Sequence, residues 1–281
     1  MINHSPYFHR LIPVLDYIQA NYNQAILPKE LEQISFYSYR NLQRIFKSLF
    51  GETIGAYQKR MRLENAAKLM HYSDKSITDI ALEVGYADLQ AFRKAFKKQY
   101  HIAPSSKRPE LIQILEQLQQ KIKYPNLAIQ ALEATKIKLP SIDVVFKTYQ
   151  GSYENTSLNV VWEQLFEACL ELEQAQEYGL IFDDIDITQA NNCRYDACLS
   201  YPKDWESTTL PTKTIGDKHY MRFLHKGNYD QIETTYNVIF GGWLLENDSN
   251  FSTDPIIEHY YYNQSDTEDE TNFLTHIYIP V

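Results

Sequence analysis

The sequence predicts a multidomain protein: an all-α double helix-turn-helix domain followed by an α+β domain of two strand-helix-strand-strand repeats with antiparallel sheet. Three observations point there. Arg40-Asn41-Leu42-Gln43-Arg44-Ile45-Phe46-Lys47 is echoed fifty residues on by Gln90-Ala91-Phe92-Arg93-Lys94-Ala95-Phe96-Lys97. The formal charge of −9 hides a split: residues 1–110 hold 16 Lys/Arg against 10 Asp/Glu, and residues 111–281 hold 11 against 26. Gly151-Ser152-Tyr153-Glu154 returns as Gly227-Asn228-Tyr229-Asp230 at an offset of 76. A basic half joined to an acidic half points to nucleic-acid binding by the first. The recurrence marks a diverged tandem repeat in the second.

In each echoed stretch an apolar residue and a Phe stand one helical turn apart. Leu42/Phe46 and Phe92/Phe96 therefore form a buried stripe, and the cationic and amide side chains between them face elsewhere. Those outward groups are of the types that read base edges and phosphates.

Taken in order, Ser5-Pro6 opens a helix reaching about Asn23, with a kink or short break expected at Pro13. Pro28 opens the next, burying Leu31 and Ile34. Ser38 caps a helix over about Tyr39–Phe50, which Gly51 ends. Thr53–His71 reads as one long helix, with Lys59, Arg60 and Arg62 on or beside its solvent face. Ser76 caps a short helix to Val84, Gly85 breaks it, and Asp88 caps a last helix to about Tyr100. The order is helix-turn-helix, connector, helix-turn-helix.

Leu42-Gln43-Arg44-x-Phe46-Lys47, Arg62-Leu63-x-x-Ala66-Ala67-x-Leu69, Ile77-x-x-Ile80-Ala81-x-x-x-Gly85-Tyr86 and Phe92-x-x-x-Phe96-Lys97 together resemble the AraC/XylS-type DNA-binding domain. The resemblance implies two recognition helices entering successive major-groove segments, about 34 Å apart in general helix-turn-helix geometry. By position it assigns DNA contact to Arg40, Gln43 and Arg44 in the first unit and to Gln90, Ala91, Arg93 and Lys94 in the second. The first unit departs from the pattern, with Glu32 and Phe36 where a small residue and a glycine are favoured. Its turn is therefore expected to be built differently.

We place the DNA-binding domain at residues 1–108, a linker at 109–140 and the second domain at 141–281. Leu111, Ile114, Leu115, Leu118 and Ile122 recur at helical spacing in the linker, which reads as a helix from Glu110 to Lys123 stopped by Tyr124-Pro125-Asn126. In the acidic half, strands are expected at Ile142–Tyr149, Leu180–Phe182, Arg194–Tyr201, His219–Leu224, Pro255–Tyr262 and Leu274–Pro280. Helices are expected at Leu158–Leu172 and Asp230–Leu245. Two small sheets, each covered by one helix, would pack side by side and leave a cleft.

The Gly-x-Tyr after each first strand, Arg194-Tyr195-Asp196, Pro255-x-x-Glu258-x-Tyr260 and Ile277-Tyr278-Ile279-Pro280 resemble the GyrI-like effector-binding domain. A DNA-binding half followed by such a domain resembles the layout of Rob-type regulators. Glu258 is the leading candidate. It stands in the apolar-aromatic strand Ile256–Tyr262, where a carboxylate is costly unless partnered, and alternation puts Ile256, Glu258, Tyr260 and Tyr262 on one face. A carboxylate among aromatic rings suits an amphipathic cation. By position the resemblance adds Tyr149, Trp162, Tyr195, Trp243 and Tyr278 to the ligand site. His276 stands where the family often has a second Glu, which leaves neutral or anionic ligands open.

Three cysteines form neither a disulfide framework nor a zinc pattern. No phosphate-binding glycine loop, His pair at metal spacing or nucleophile motif occurs, so no cofactor, metal or catalytic residue is expected. Asp266-Thr267-Glu268-Asp269-Glu270 reads as a charged loop. With no targeting segment, a cytoplasmic location is expected. The expected function is sequence-specific transcription regulation by a non-enzymatic protein, with double-stranded DNA and a small-molecule effector as partners. RNA polymerase is a further candidate partner, and a monomer is expected because one chain carries two readers. Two alternatives stay open: small-molecule hydrolysis in the C-terminal domain, or a pure protein-interaction module.

Overall fold

The computed structural model describes residues 8–109, 113, 132, 134–172, 175–202, 205, 210–244, 247 and 251–281. The chain splits into two compact units, Met1–Glu110 and Leu111–Val281. The expected helix opening at Ser5-Pro6 and nearly all of the linker helix lie outside the described residues.

The first unit is helical: α1 (Phe8–Ala20), α2 (Pro28–Ser35), α3 (Tyr39–Phe50), α4 (Ile54–Tyr72), α5 (Ile77–Glu83) and α6 (Leu89–Tyr100). The two stripes do what their spacing predicts. Leu42 and Phe46, like Phe92 and Phe96, are fully buried. Helix α1 runs unbroken through Pro13, against expectation. Pro13 is its sixth residue, so the ring removes one hydrogen bond near the helix start rather than interrupting a long ladder. Ile34 is only half-buried, and Ser35 takes the inward place behind Leu31, its hydroxyl donating to the Leu31 carbonyl at 2.7 Å.

The two turns are built by different means. In the second, Asp88 accepts the Ala91 amide at 2.7 Å. There Gly85 sits at φ 86°, and the Asn23 carbonyl occupies the place a Cβ would need. In the first, Ser38 holds the cap position but its side chain makes no cap bond. Glu32 does that job, its carboxylate accepting the Tyr39 amide at 2.6 Å. Phe36 takes the left-handed conformation (φ 56°) and is 85% exposed, so no neighbour demands a bare Cα. The backbone strain of a bulky residue there is about 1–2 kcal/mol.

Arg60 and Arg62 do not face solvent as expected. Arg60 is held between Glu52 and Glu64, at 2.8 and 3.0 Å. Arg62 donates to the carbonyls of Tyr22 (2.6 Å), Gln24 (2.7 Å) and Gly85 (2.8 Å). Gln58 donates to the same Tyr22 and Gln24 carbonyls, and the Asn23 amide reaches the Glu83 carbonyl. The loop after α1, the connector α4 and the second turn are thereby tied together, which fixes one helix-turn-helix unit against the other.

The second unit is α+β. Its strands are β1 (Thr135–Lys138), β2 (Ile142–Gln150), β3 (Glu177–Ile181), β4 (Arg194–Ser200), β5 (Thr212–Ile215), β6 (His219–Lys226), β7 (Ile256–Tyr262) and β8 (Leu274–Pro280). Helix α7 (Asn155–Ala168) follows β2. Helix α8 (Ile232–Val238) follows β6 and continues as a π-helical turn over Ile239–Trp243. The expected pair of small sheets is instead one antiparallel sheet of eight strands, ordered β1-β6-β8-β7-β3-β4-β2-β5. Two four-stranded halves join where β3 pairs with β7. The short strands missed in the sequence reinforce the joint: β1 precedes β2 but borders β6, while β5 precedes β6 but borders β2. Each repeat thus lends an edge strand to the other. The β3–β7 seam positions the site.

Candidate functional site

Of the residues expected to contact DNA, Arg40 and Arg44 of α3 are exposed, as are Gln90, Ala91, Arg93 and Lys94 of α6. Arg44 also donates to Asn41 at 2.8 Å, which orients its guanidinium along the helix. Gln43 departs from the expectation. Its amide nitrogen donates to the Tyr39 hydroxyl at 2.6 Å, and its oxygen accepts the Ile54 amide at 3.3 Å. Both ends of the amide are engaged within the fold, so Gln43 joins α3 to the start of α4 and is not presented to a base.

The second site is built on the seam. Glu258 is 5% exposed. Its Oε1 accepts the Tyr236 hydroxyl at 2.7 Å and its Oε2 accepts the Tyr260 hydroxyl at 2.6 Å. The Tyr260 oxygen lies 2.9 Å from that of Tyr195, and the Trp162 indole N–H donates to Tyr195 at 3.1 Å. The direction of this chain is fixed. Trp162 can only donate, and Tyr260 has one proton, spent on Glu258, so Tyr195 donates to Tyr260.

Around it stand π-faces. Trp162 and Tyr229 each meet the Tyr260 ring edge-on, at 5.6 and 5.3 Å, and Phe240 stacks on Tyr236 at 6.1 Å. Burial pushes the Glu258 carboxyl above the ordinary range, opposed by the Tyr260 and Tyr236 hydroxyls, which favour its charged form. Burial beside that carboxylate pushes the Tyr195, Tyr236 and Tyr260 phenols well above their ordinary value. They remain donors.

Of the residues expected here, Glu258, Tyr260, Tyr195 and Trp162 come together. Tyr149 shares their face, opposite Tyr195 in the β2–β4 register, but makes none of the hydrogen bonds of this chain. Trp243 stacks on Phe251 at 6.0 Å, Phe251 meets Phe240, and Phe240 stacks on Tyr236, which places Trp243 at the outer end of that row of rings. Tyr278 is misplaced by the expectation. Glu258 pairs with Ile277, so His276 and Tyr278 point through the opposite face of the sheet, where their rings lie 6.0 Å apart and Tyr220 meets Tyr278. Alternation holds through Tyr260 and fails at Tyr262, where β7 carries an irregularity.

Missed in the sequence were Tyr236, Tyr229 and Glu177. Tyr236 and Phe240 stand four apart in the expected second helix, which was a readable signal. The Gly-x-Tyr repeat contained Tyr229, but its role differs from that of its counterpart: the Tyr153 hydroxyl instead donates to the Arg194 carbonyl at 2.7 Å. Glu177 lies on the Gly179 side of β3, and burial with nearby Asp266 raises it to about 7, against an Asn263 hydrogen bond. Arg194 grips Asp183 with two contacts of 2.9 Å, and Lys213 pairs with Asp196 at 2.7 Å. Both pairs are structural.

Residues 133–281, just over half the chain, match the GyrI-like small molecule binding domain, and residues 31–109 match a helix-turn-helix domain. The chain therefore belongs to the GyrI-like family and carries an AraC-type helix-turn-helix domain ahead of that module. Over 102 residues it is 36% identical to the HTH-type transcriptional activator RhaS of Yersinia pestis (strain Pestoides F), covering 36% of this chain and 37% of that protein. The chain thus spans little more than a third of the RhaS proteins it matches. It is 39% identical over 90 residues to the probable transcription factor PqrA of Proteus vulgaris, covering 32% of this chain and 74% of that one. Among solved structures, the C-terminal domain of EcmrR is similar at 16% identity and a TM-score of 0.45, over 54% of this chain and 98% of that one. No helix among the described residues is long and apolar enough to cross a membrane, and no described group of three His, Cys, Asp or Glu is placed to hold a metal.

A pH dependence follows from Glu177. Its folded value of about 7 exceeds its ordinary 4.5, so the folded state binds the proton more tightly. That stability is fully present below 4.5 and is lost as pH rises through 7. The unfolding temperature of the second domain, measured against a Glu177→Gln variant, should fall as pH rises from about 6 to about 8. A constant difference across that window would contradict the assignment.

Proposed function

We propose that the chain is a sequence-specific DNA-binding transcription regulator whose second domain senses an amphipathic organic cation, with Glu258 as its counter-charge. The carrying observation is the seam carboxylate itself. Glu258 is buried, receives two phenol protons and, among the described residues, pairs with no Lys or Arg. Leaving such a charge unpaired is expensive, by several kcal/mol for a buried ion. A cation supplies the missing charge, and the faces of Trp162, Tyr195, Tyr229, Tyr236 and Tyr260 hold its apolar body. Both carboxylate oxygens are already hydrogen-bonded and the tyrosines are locked as donors, which favours a binder over a hydrolase. Ligand would act on DNA affinity or on contact with RNA polymerase, and only through a difference in its affinity for two states of the protein.

In the reader, Arg40, Arg44, Gln90, Ala91, Arg93 and Lys94 form the DNA face, with Arg44 suited to guanine O6/N7. Arg44→Ala is expected to weaken specific binding by about 1–3 kcal/mol. Unchanged discrimination between operator and random duplex would remove Arg44 from the reading.

All three tryptophans, Trp162, Trp205 and Trp243, lie in the second domain, so intrinsic fluorescence reports on it without a label. Tetraphenylphosphonium should quench saturably, bind at least tenfold more weakly to Glu258→Gln, and be recovered intact. Equal affinity in the variant, or breakdown of a bound compound, would contradict the proposal.

A further inference from the structure

The seam is not symmetric in content. Gly179 pairs with Ala197 on β4, and Glu258 pairs with Ile277 on β8. Ala197 and Ile277 are each the fourth residue of the last strand of their repeat. Gly179 and Glu258 are therefore equivalent positions of the two repeats, and across the β3–β7 joint they pair directly with each other. One repeat puts a carboxylate at this place and the other puts nothing.

What fills the empty place is the hydrogen-bond chain. A Cβ on Gly179 would stand 2.5 Å from the Tyr195 hydroxyl oxygen, 2.7 Å from that of Tyr260 and 2.9 Å from Cε2 of Tyr195. Both rings are hemmed in by neighbours. Tyr195 is 1% exposed and held by the Trp162 N–H, while Tyr260 is flanked edge-on by Trp162 and Tyr229.

We propose that Gly179 is a positioning residue of the Glu258 site: its bare Cα is the space in which the Tyr195 and Tyr260 hydroxyls meet, and that meeting aims the Tyr260 proton at Glu258. A methyl there parts the two oxygens and leaves the carboxylate to Tyr236. With one donor fewer, the charged form of Glu258 is harder to keep. The titratable groups facing Glu258 are Tyr260 on its own strand, Tyr195 from β4, Tyr236 from α8 and Tyr229 from the turn after β6. Tyr229 also feels Glu177, Asp266 and Glu270. All of these are neutral donors or acids, so none replaces the lost contact.

The test is made on the full chain carrying Trp205→Phe and Trp243→Phe, so that Trp162, at the far end of the chain of hydrogen bonds, reports alone. Its emission is followed against pH without ligand, and the transition belonging to Glu258 is identified by its loss in Glu258→Gln. In Gly179→Ala the midpoint should move up by at least about one pH unit, the change expected for a lost hydrogen bond to a charged group, with the circular dichroism unchanged. Tyr260→Phe should reproduce the shift, and Gly179→Ala should add nothing in that background. An unmoved midpoint, or additive shifts, would overturn the proposal.

Should Gly179→Ala fail to fold, Tyr195→Phe, which also removes the meeting of the two hydroxyls, carries the test: it should raise the Glu258 midpoint, and an unmoved midpoint there would overturn the proposal. The ligand arm rests on the cation reading above: tetraphenylphosphonium affinity should drop at least tenfold in Gly179→Ala. A midpoint shift in a protein that never binds the cation would sink that reading and leave the role of Gly179 standing.

Discussion

A carboxylate enclosed at the joint between two repeats is the constraint on which the second domain turns. Water would solvate Glu258 well, and the fold removes the water. It substitutes two phenol protons, themselves backed by Tyr195 and Trp162. Hydroxyl dipoles soften an enclosed charge without cancelling it, since each contributes a fraction of what an opposite charge would. Tyr260 and Tyr236 come from the repeat that carries Glu258, but Tyr195 and Trp162 come from the other, so the backing of the carboxylate is complete only when β3 and β7 have paired. The exchanged edge strands β1 and β5 make that pairing part of the fold rather than a contact between two finished halves.

The first domain solves a different problem, that of holding two DNA-reading helices at one spacing. Arg62 answers it with a guanidinium whose planar fork reaches three carbonyls from two segments. A lysine could not span them, because it presents its donors from a single point. Gly85 belongs to the same joint, pressed against Asn23. The first turn has no such neighbour. There Phe36 is free to stand in solvent in a strained backbone state while Glu32 caps α3.

Much of this architecture is legible in the amino-acid sequence. The α3 and α6 stripes, the order of helices and the strand-helix-strand-strand repeats follow from local periodicity, which the chain satisfies residue by residue. Glu258 stands out because a carboxylate in Ile256–Tyr262 breaks its own pattern. What cannot be read there depends on pairing. The face of Tyr278 is decided by whether Ile277 or Tyr278 opposes Glu258, a shift of one residue that no local pattern reports. Gly179 is inconspicuous in sequence, because its meaning arises only from the strand across the seam. Gln43 and Arg62 are polar residues on helices, and the backbone groups they hold lie 11 to 40 residues away. The β1 and β5 strands are four residues each and pair with distant strands, too short to announce themselves.

The proposed sensing role turns on the charge state of one side chain. The most direct measurement is carbon NMR of protein labelled at the glutamate carboxyl carbon, with the Glu258 resonance assigned by its loss in Glu258→Gln. The signal would be followed across pH with and without tetraphenylphosphonium. Free Glu258 is predicted to titrate above the ordinary glutamate value, and the bound cation to move its midpoint down, because a positive charge favours the ionised form. A Glu258 signal that titrates at the ordinary value, or that the cation leaves where it was, would contradict that role.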